Sequence, residues 1–367
     1  MFIDKIEKGT LLKPLQVVGG IIERRQPLPI LSNVLIQKSG PNYRFVSTDL
    51  EIQITTHLGT DQAPSDESIT VGAKKLQEIL RVLPDDSKVS LDIQDSKLQL
   101  RAGKSKFNLQ TLPPEDFPQI SDQVKDAEKV QLKQNQFKAL LGAVQYAMAQ
   151  QDIRYYLNGV LLVIDGKYLK AVATDGHRLA YSSIELGGAY AKREIILPRK
   201  TIGELFKLLS DTDDEIALEL GETQVRMAFS DVTISSKVID GKFPDYGKVI
   251  PSYTNHLSLE RLTILQALQR VSILSNEKFR GVRLVLTEKN LRIISSNSEQ
   301  EEAQEDIETD YHGPGLDVGF NVNYLLDGLN TISSQNVVFS FGDPNSSVLI
   351  TRPDDENFKY VIMPMRI

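Results

Sequence analysis

The stretch "LKAVATDGHRLA" (169–180) decides the fold, because its pattern occurs three times in the chain. "YRFVSTDLEIQI" (43–54) precedes it and "LRIISSNSEQEE" (291–302) follows it. In each stretch an alternating, strand-like run ends in a small polar turn; the turns are Thr48-Asp49, Thr174-Asp175 and Ser296-Asn297. Asp49 to Asp175 is 126 residues and Asp175 to Asn297 is 122 residues, a spacing typical of whole domains rather than of solenoid repeats.

Two further landmarks keep the same register. Apolar residues spaced i, i+3, i+4 and i+7 predict a helix over 76–83, and the pattern recurs at 202–209 and, less completely, at 325–332. The first two units both close on Phe-Pro, at 117–118 and 243–244. Longer apolar stripes predict a helix near the start of each unit; they are Leu11, Leu15, Val18 and Ile22, then Phe137, Leu140, Leu141, Val144 and Met148, then Leu259, Leu262, Leu265, Leu268 and Val271.

Short alternating runs between the helices predict antiparallel hairpins. They include "KVSLDIQ" (88–94), "KLQLR" (97–101) and "QVRMAF" (224–229), and the turns between such runs are too short for a crossover helix. The fold class is therefore α+β, with three tandem homologous domains that each carry two helices and small antiparallel sheets. We place the domains at 1–125, 126–252 and 253–367.

Composition excludes several classes of protein. Of the 367 residues, 41% are hydrophobic and 25% are charged, as in soluble globular proteins. The absence of cysteine excludes disulfides and thiolate metal sites and favours a reducing cytoplasm. No signal-peptide core is present, and apolar runs such as 159–164 are too short to span a bilayer. Four scattered histidines do not indicate a metal site, and the net charge of −7 does not exclude a local basic face.

The segment Asp175-Gly176-His177-Arg178 could be read as acid–base machinery, with Ser182 as a nucleophile. The repeats favour another interpretation, since Asp and Asn are typical of turns in which the side chain bonds the backbone two residues on. Neither "AGKSKF" (102–107) nor "SDTDDEI" (210–216) has the glycine that a phosphate loop or a calcium loop requires. We expect no enzyme activity and no cofactor.

Several segments closely resemble the bacterial sliding clamp family, the β subunits of DNA polymerase III. The resemblance covers the whole chain and is carried by "QDIRYYLNGVL" (151–161), "ATDGHRLA" (173–180), "DGKFPDYGKVIP" (240–251), "ILSNEKFRGVRL" (273–284) and "YVIMPMRI" (360–367). It implies a non-enzymatic head-to-tail homodimer that closes into a six-domain ring around duplex DNA. Implied partners are the polymerase III catalytic subunit, the ATP-driven clamp loader, and other polymerases and repair proteins that carry short linear motifs.

The resemblance and the helix patterns together suggest DNA-contacting residues, which would bind phosphates without reading sequence. Some could instead be ordinary solvated or packing residues. The candidates are Arg24, Arg25, Lys133, Lys138, Gln151, Tyr155, Tyr156, Arg261 and Arg270.

A head-to-tail dimer needs two different complementary surfaces. The first unit offers Lys104, Lys106, Phe107 and Leu109, and the third unit offers Glu299, Glu301, Glu302 and Glu305. The family adds Ile273 and Leu274 as the apolar partner.

The C-terminal tail is unusually apolar, and the family places a peptide-binding cleft between domains two and three. Lys248 stands where relatives often have arginine, so its partner contacts lose the planar fork. The implied cleft residues are Leu157, Thr174, Gly176, His177, Arg178, Leu179, Pro244, Lys248, Val249, Ser347, Val361, Met363, Pro364, Met365 and Arg366. A hydrolase that uses Asp175 and His177, or a peptide-binding scaffold indifferent to DNA, remain the alternatives.

Overall fold

The structure is a computed structural model that describes residues 2–23, 28–62, 64–353 and 355–366. The described residues contain six α-helices, two for each predicted repeat. The helices are α1 (Lys8–Val18), α2 (Ala73–Val82), α3 (Gln134–Gly142), α4 (Arg199–Leu208), α5 (Arg261–Val271) and α6 (Val322–Thr331). The prediction of two helices in each of three units is confirmed.

The strands of the first unit are β1 (Ile3–Glu7), β2 (Asn33–Ser39), β3 (Asn42–Thr48), β4 (Ile52–Gly59), β5 (Glu67–Gly72), β6 (Lys88–Gln94), β7 (Lys97–Ala102) and β8 (Ser105–Leu112). Those of the second are β9 (Glu128–Lys133), β10 (Gly159–Thr174), β11 (Arg178–Pro198), β12 (Glu215–Leu220), β13 (Gln224–Phe229) and β14 (Val232–Lys237). Those of the third are β15 (Asn255–Glu260), β16 (Gly281–Thr287), β17 (Asn290–Ser296), β18 (Glu302–Glu308), β19 (Leu316–Asn321), β20 (Asn336–Phe341), β21 (Val348–Arg352) and β22 (Asp355–Ile362).

The chain forms two compact units, and neither coincides with a sequence repeat. One comprises Met1–Lys138 and Lys200–Val238, and the other comprises Ala139–Arg199 and Ile239–Ile367. In the first unit, twelve described strands form one antiparallel sheet in the order β1-β6-β7-β8-β5-β2-β3-β4-β14-β13-β12-β9. In the second, one sheet has the order β10-β11-β22-β21-β20-β15 and another the order β18-β17-β16-β19.

The sheets are larger than the small sheets predicted, because strands of consecutive repeats pair edge to edge. Strand β4 of the first repeat pairs with β14 of the second, and β11 of the second pairs with β22 of the third. Pairing satisfies backbone groups that an exposed edge would leave open. Sequence periodicity does not contain this information.

Most residues of the apolar helix stripes face the core, although Leu262 is 48% exposed. All three predicted helices extend beyond the observed ones, and Leu259 belongs to β15, before α5 begins. Leu11, Leu15 and Val18 are fully buried in α1, which packs against α2. Ile22 lies beyond the end of α1, and Val144 and Met148 lie beyond Gly142, where α3 ends. Tighter 3-10 turns at Gly19–Ile21 and Gln145–Ala147 follow these helices and keep the apolar residues buried.

Candidate peptide-binding cleft and interaction surfaces

The Thr174–Arg178 turn is built by side-chain hydrogen bonds to its own backbone. Asp175 Oδ1 accepts from the amides of His177 (2.9 Å) and Arg178 (3.0 Å). Thr174 Oγ1 donates to the Arg178 carbonyl oxygen at 2.6 Å and accepts from the Gly176 amide at 3.1 Å. Gly176 has a φ of +90°, in the region that favours glycine. Asp175 is therefore a turn residue, as predicted.

The side chain of Arg178 is held by hydrogen bonds within the protein. Its Nη1 donates to Asp327 Oδ2 at 2.6 Å, and its Nη2 donates to the Tyr146 carbonyl at 2.7 Å. Its Nε donates to Asp175 Oδ2 at 3.1 Å. The guanidinium lies 4.5 Å from the ring centroid of Tyr324 and 5.6 Å from that of Tyr146. Arg178 thus fixes the turn against α6, a role that the sequence did not predict.

Three predicted cleft residues belong to one hydrophobic cluster. Leu157, Leu179 and Val361 are buried together with Phe243 and Leu349. The cross-strand pairs Leu179–Val361 and Leu349–Val361 bring β11, β22 and β21 side by side, so these side chains share one face of the sheet. Leu157 and Val361, which are 204 positions apart, thereby belong to a single apolar floor.

The C-terminal segment is held in place at two points. The Met363 amide donates to the His177 carbonyl at 2.9 Å, and the Met365 amide donates to the Gly319 carbonyl at 2.8 Å. Met363 is nevertheless 52% exposed, and Arg366 is exposed. The tail therefore presents a flexible apolar side chain next to the turn, which suits a pocket that accepts varied peptides.

The connector between the second and third repeats supplies the remaining predicted residues. Phe243 packs into the cluster, and Tyr246 packs against it and lies 5.9 Å from the ring of Tyr181. This anchoring leaves Pro244, Lys248 and Val249 exposed. Lys248 Nζ lies 3.3 Å from Asp245 on a fully solvated face. Elsewhere, the Ser347 carbonyl accepts from the Tyr253 hydroxyl at 2.8 Å, and Pro364 is half-buried.

Two features near this floor were not anticipated. The Arg154 guanidinium lies over Gly176, where an added Cβ would approach Nη2 to 3.1 Å. Its hydrogen bonds hold the pKa of the Asp152 carboxyl down at about 2. A cleft of about 820 Å³ also adjoins the cluster and is lined by Tyr181, Tyr246, Tyr253, Leu349 and Lys359 among others. In the sequence, only the close spacing of Asp152 and Arg154 indicated the ion pair that holds the Arg154 guanidinium.

The predicted DNA-contacting residues have several different environments. Lys133 and Lys138 are ion-paired with Asp213 and Asp211, at 2.7 and 2.8 Å. Arg261 donates to the carbonyls of Leu329 and Ser334 at the end of α6, which is a structural role. Arg270 pairs with Glu305, a residue predicted for the dimer interface.

The two tyrosines that were predicted to contact DNA also differ in their surroundings. Tyr155 is 64% exposed, whereas Tyr156 packs against the hydrophobic cluster. Gln151 is exposed and has a φ of +54°. Arg24 and Arg25 lie outside the described residues.

Several predicted interface residues lie on two strands with incomplete pairing, β8 and β18. Residues 105–110 of β8 pair with β7 on one side, while β5 reaches only Thr111 and Leu112 on the other. Strand β18 pairs with β17 and ends its four-stranded sheet among the described residues. Phe107 and Leu109 are half-buried, Lys104 and Lys106 are exposed, and so are Glu299, Glu301 and Glu302. Ile273 is 76% exposed beside the half-buried Leu274.

Nothing in this arrangement resembles a hydrolytic centre. Both carboxylate oxygens of Asp175 are occupied by donors of the turn, and Ser182 is buried in the sheet. Among the described residues, no three His, Asp or Glu side chains are placed to hold a metal ion. In the same part of the chain, no helix is both long and apolar enough to cross a membrane.

Comparisons with known proteins agree along the whole chain. Family models of the DNA polymerase III beta subunit match its N-terminal domain at 2–121, its central domain at 131–245 and its C-terminal domain at 247–366. The beta sliding clamps of Pseudomonas aeruginosa and Escherichia coli K12 are 42% and 40% identical, over 99% of each chain. A crystal structure of the Pseudomonas aeruginosa clamp bound to griselimycin has a TM-score of 0.95 at 42% identity and 99% coverage of both chains. The chain belongs to the DNA polymerase III β subunit family, the bacterial sliding clamps.

Proposed function

We propose that two copies of this chain close head to tail into a ring around duplex DNA and tether the replicative polymerase to it. The ring has six domains, three from each chain, with boundaries at 1–125, 126–252 and 253–367. It acts in the cytoplasm, needs no cofactor and catalyses no reaction of its own. The observation that carries this proposal is the edge-to-edge pairing of consecutive repeats. Among the described residues, this pairing leaves one such strand edge open in the first repeat and one in the third.

The repeat pattern of sheet edges supports closure by a second copy. Strand β4 pairs with β14, and β11 pairs with β22, so each repeat joins the next through equivalent strands. The strand of the third repeat equivalent to β4 is β18, and the strand of the first repeat equivalent to β14 is β8. A heterologous interface of this kind forms a closed ring when the rotation that relates one copy to the next brings the last copy back into contact with the first.

The same repetition gives the register of the proposed interface. The hairpins that begin β8 and β14 are 127 residues apart, at Ser105 and Val232. The Asp49 and Asn297 amides donate to the carbonyls of Ile52 and Glu301, which are therefore equivalent positions 249 residues apart. Strand β14 pairs with β4 at Val232–Thr56 and at Ile234–Ile54. Moving the β14 residue back by 127 positions and the β4 residue forward by 249 gives the expected pairs between β8 of one copy and β18 of the other. These pairs are Ser105–Glu305 and Phe107–Ala303.

Charge and apolar surface both suit this register. Lys106 falls opposite Gln304, with Glu302 and Asp306 on the diagonals, within reach of a long side chain. Phe107 and Leu109 lie on one face of β8, and Ile273, which is 76% exposed, belongs to the turn that contacts β18. Exposed ion pairs contribute only about 0–1 kcal/mol each, so apolar burial provides most of the affinity.

Engineered cysteines test the register cleanly, because the chain has no native cysteine. Oxidised Phe107→Cys/Ala303→Cys protein is expected to form covalent dimers efficiently. Lys106→Cys/Ala303→Cys, which is displaced by one residue and points to the other face, serves as the matched control. Equal cross-linking of both pairs, or none with the first, would contradict the proposed interface.

The cleft built on Leu157, Leu179 and Val361 is the proposed docking site for linear motifs. Those motifs belong to the polymerase III catalytic subunit, the clamp loader, other polymerases and repair proteins. Gly176 leaves room for the Arg154 guanidinium beside the turn, and the exposed His177 offers a side-chain hydrogen-bond partner to a ligand. His177→Ala should weaken binding of a polymerase-derived peptide, whereas the hydrolase alternative requires loss of turnover of a small substrate.

The ring itself is tested on circular DNA. The matching loader places the protein on a nicked circle, high salt removes electrostatically bound protein, and the circle is then cut. Electrostatic binding falls steeply with salt, whereas a topological link survives salt and is lost on linearisation. Loss during the salt wash would refute the ring and favour a peptide-binding scaffold indifferent to DNA.

A further inference from the structure

The loop between α4 and β12 (209–214) is fixed against the beginning of α3. The Gln134 amide donates to the Asp214 carbonyl at 2.8 Å, and the Asn135 amide donates to the Thr212 carbonyl at 3.1 Å. Ser210 N donates to Gln134 Oε1 at 3.1 Å. Backbone groups therefore cap the helix and hold the loop beside it.

Two carboxylates of this loop are paired with Lys133, the last residue of β9, and with Lys138 in α3. Asp213 Oδ2 lies 2.7 Å from Lys133 Nζ, while its Oδ1 accepts from Asn135 Nδ2 at 2.8 Å. Asp211 Oδ2 lies 2.8 Å from Lys138 Nζ. The hydrogen bonds from Lys133 and Asn135 lower the pKa of the Asp213 carboxyl, so it stays charged near neutral pH. Both cations thus already have an anionic partner.

The third repeat shows that the fold does not need these carboxylates. There the Arg261 amide donates to the Gln335 carbonyl at 2.8 Å, which reproduces the contact of Gln134 with Asp214. The equivalent loop, "SSQN" (333–336), contains no acidic residue. The backbone carbonyl is the shared structural element, because the first repeat also places an acid in this loop, Asp85 at 2.7 Å from Lys8 Nζ, whereas the third repeat keeps the contact without one.

We propose that Asp211 and Asp213 act as internal substitutes for phosphate, which weaken the hold of Lys133 and Lys138 on DNA and keep the clamp mobile along the duplex. This rests on the proposed function and on the sequence-based prediction that Lys133 and Lys138 contact DNA. A phosphate that approaches Lys133 must displace a carboxylate already held from two sides. The gain in free energy on DNA contact is therefore smaller than for an unpaired lysine.

The decisive comparison uses two substitutions in adjacent positions. Asp213→Asn removes the carboxylate that is paired with Lys133. Asp214→Asn is the matched control, because it removes one negative charge from a carboxylate that accepts from Thr212 Oγ1 instead of pairing with Lys133. Fluorescence anisotropy with a short mixed-sequence duplex is expected to show tighter binding for Asp213→Asn, on the order of 2- to 5-fold. Its salt dependence should also be steeper. Asp214→Asn should change binding much less.

Two further variants complete the test. Asp211→Asn should tighten binding through Lys138, and Lys133→Ala should abolish the effect of Asp213→Asn in the double variant. Single-molecule tracking of loaded rings is expected to show slower diffusion for Asp213→Asn at low salt. Equal behaviour of Asp213→Asn and Asp214→Asn, with rings still retained on circular DNA, would overturn this proposal alone. Loss of wild-type rings in the salt wash would refute the proposed function and this proposal with it.

Discussion

The turns at 48–52 and 174–178 share their hydrogen bonds but differ in what surrounds them. Asp49 Oδ1 accepts from the amides two and three residues on, as Asp175 Oδ1 does. Thr48 bonds the Ile52 carbonyl just as Thr174 bonds that of Arg178. The local chemistry of the two turns is therefore the same.

The second carboxylate oxygen distinguishes the turns. Asp49 Oδ2 lies 2.5 Å from Lys200 Nζ, which also pairs with the exposed Glu23. Asp175 Oδ2 instead pairs with Arg178, whose guanidinium is stacked on tyrosines and bonded to Asp327. The first turn is used to join repeats, whereas the second becomes a rigid wall beside an apolar floor. The same turn is therefore set in two different surroundings, and only the second adjoins the proposed cleft.

Removing the two cations should give the largest difference between the turns. Arg178→Ala leaves Asp175 and Asp327 without their partner in a largely buried site, and should lower the free energy of unfolding by about 2–4 kcal/mol. Lys200→Ala removes a lysine that is 35% exposed, more than Arg178 is, and should cost less, about 1 kcal/mol. Urea unfolding of both variants measures the difference. Similar losses would mean that the Arg178 network is no more than a surface ion pair.

A methyl group at the positive-φ position should have the next largest effect. Gly176→Ala places a Cβ at a φ of +90° and near Arg154, and should destabilise the protein by about 1 kcal/mol. It should also weaken peptide binding, because the added methyl narrows the wall. Leu50→Ala is the control, since the backbone there already carries a side chain at a φ of +79°. Thermal unfolding and peptide titration of both variants check this prediction.

The equivalent exposed residues His177 and Glu51 separate binding from stability. Because both are solvent-exposed, alanine at either position should change the free energy of unfolding by less than about 0.5 kcal/mol. Only His177→Ala should reduce affinity for a polymerase-derived peptide. Calorimetry with both variants gives the two quantities together, and an affinity loss with Glu51→Ala would contradict the assignment of the cleft.

The smallest expected effect concerns acid pH beside the second turn. Arg154 lowers the pKa of Asp152 from 3.8 to about 2, so the carboxylate stabilises the fold above pH 3.8 and this contribution disappears as the pH falls to 2. The stability difference between the wild-type protein and Asp152→Asn should therefore be constant above about pH 5 and shrink below it. Melting temperatures between pH 2 and pH 6 measure it. A difference independent of pH would exclude the ion pair as its source.

Local features were accessible from the sequence alone. The bounds of β6 and β13 agree with the alternating runs at 88–94 and 224–229. Successive side chains of a strand point to opposite faces of the sheet, so the pattern of a strand can be recognised from neighbouring residues. The Thr-Asp turns were predicted for the same reason, since a short polar side chain bonds the backbone within the next few positions. Helix ends were less accurate at α1 and α3, where 3-10 turns continue the apolar pattern.

The sequence by itself determined three repeats, their element types and the turns that end their strands. Only the tertiary structure decided that β4 joins β14, that Arg178 meets Asp327 149 residues away, and that Lys133 is neutralised by Asp213 80 residues away. Periodicity and turn chemistry act between near neighbours, whereas these contacts depend on how sheets and helices pack. The same residue types therefore contact the next repeat in one case and form a wall of the proposed cleft in the other.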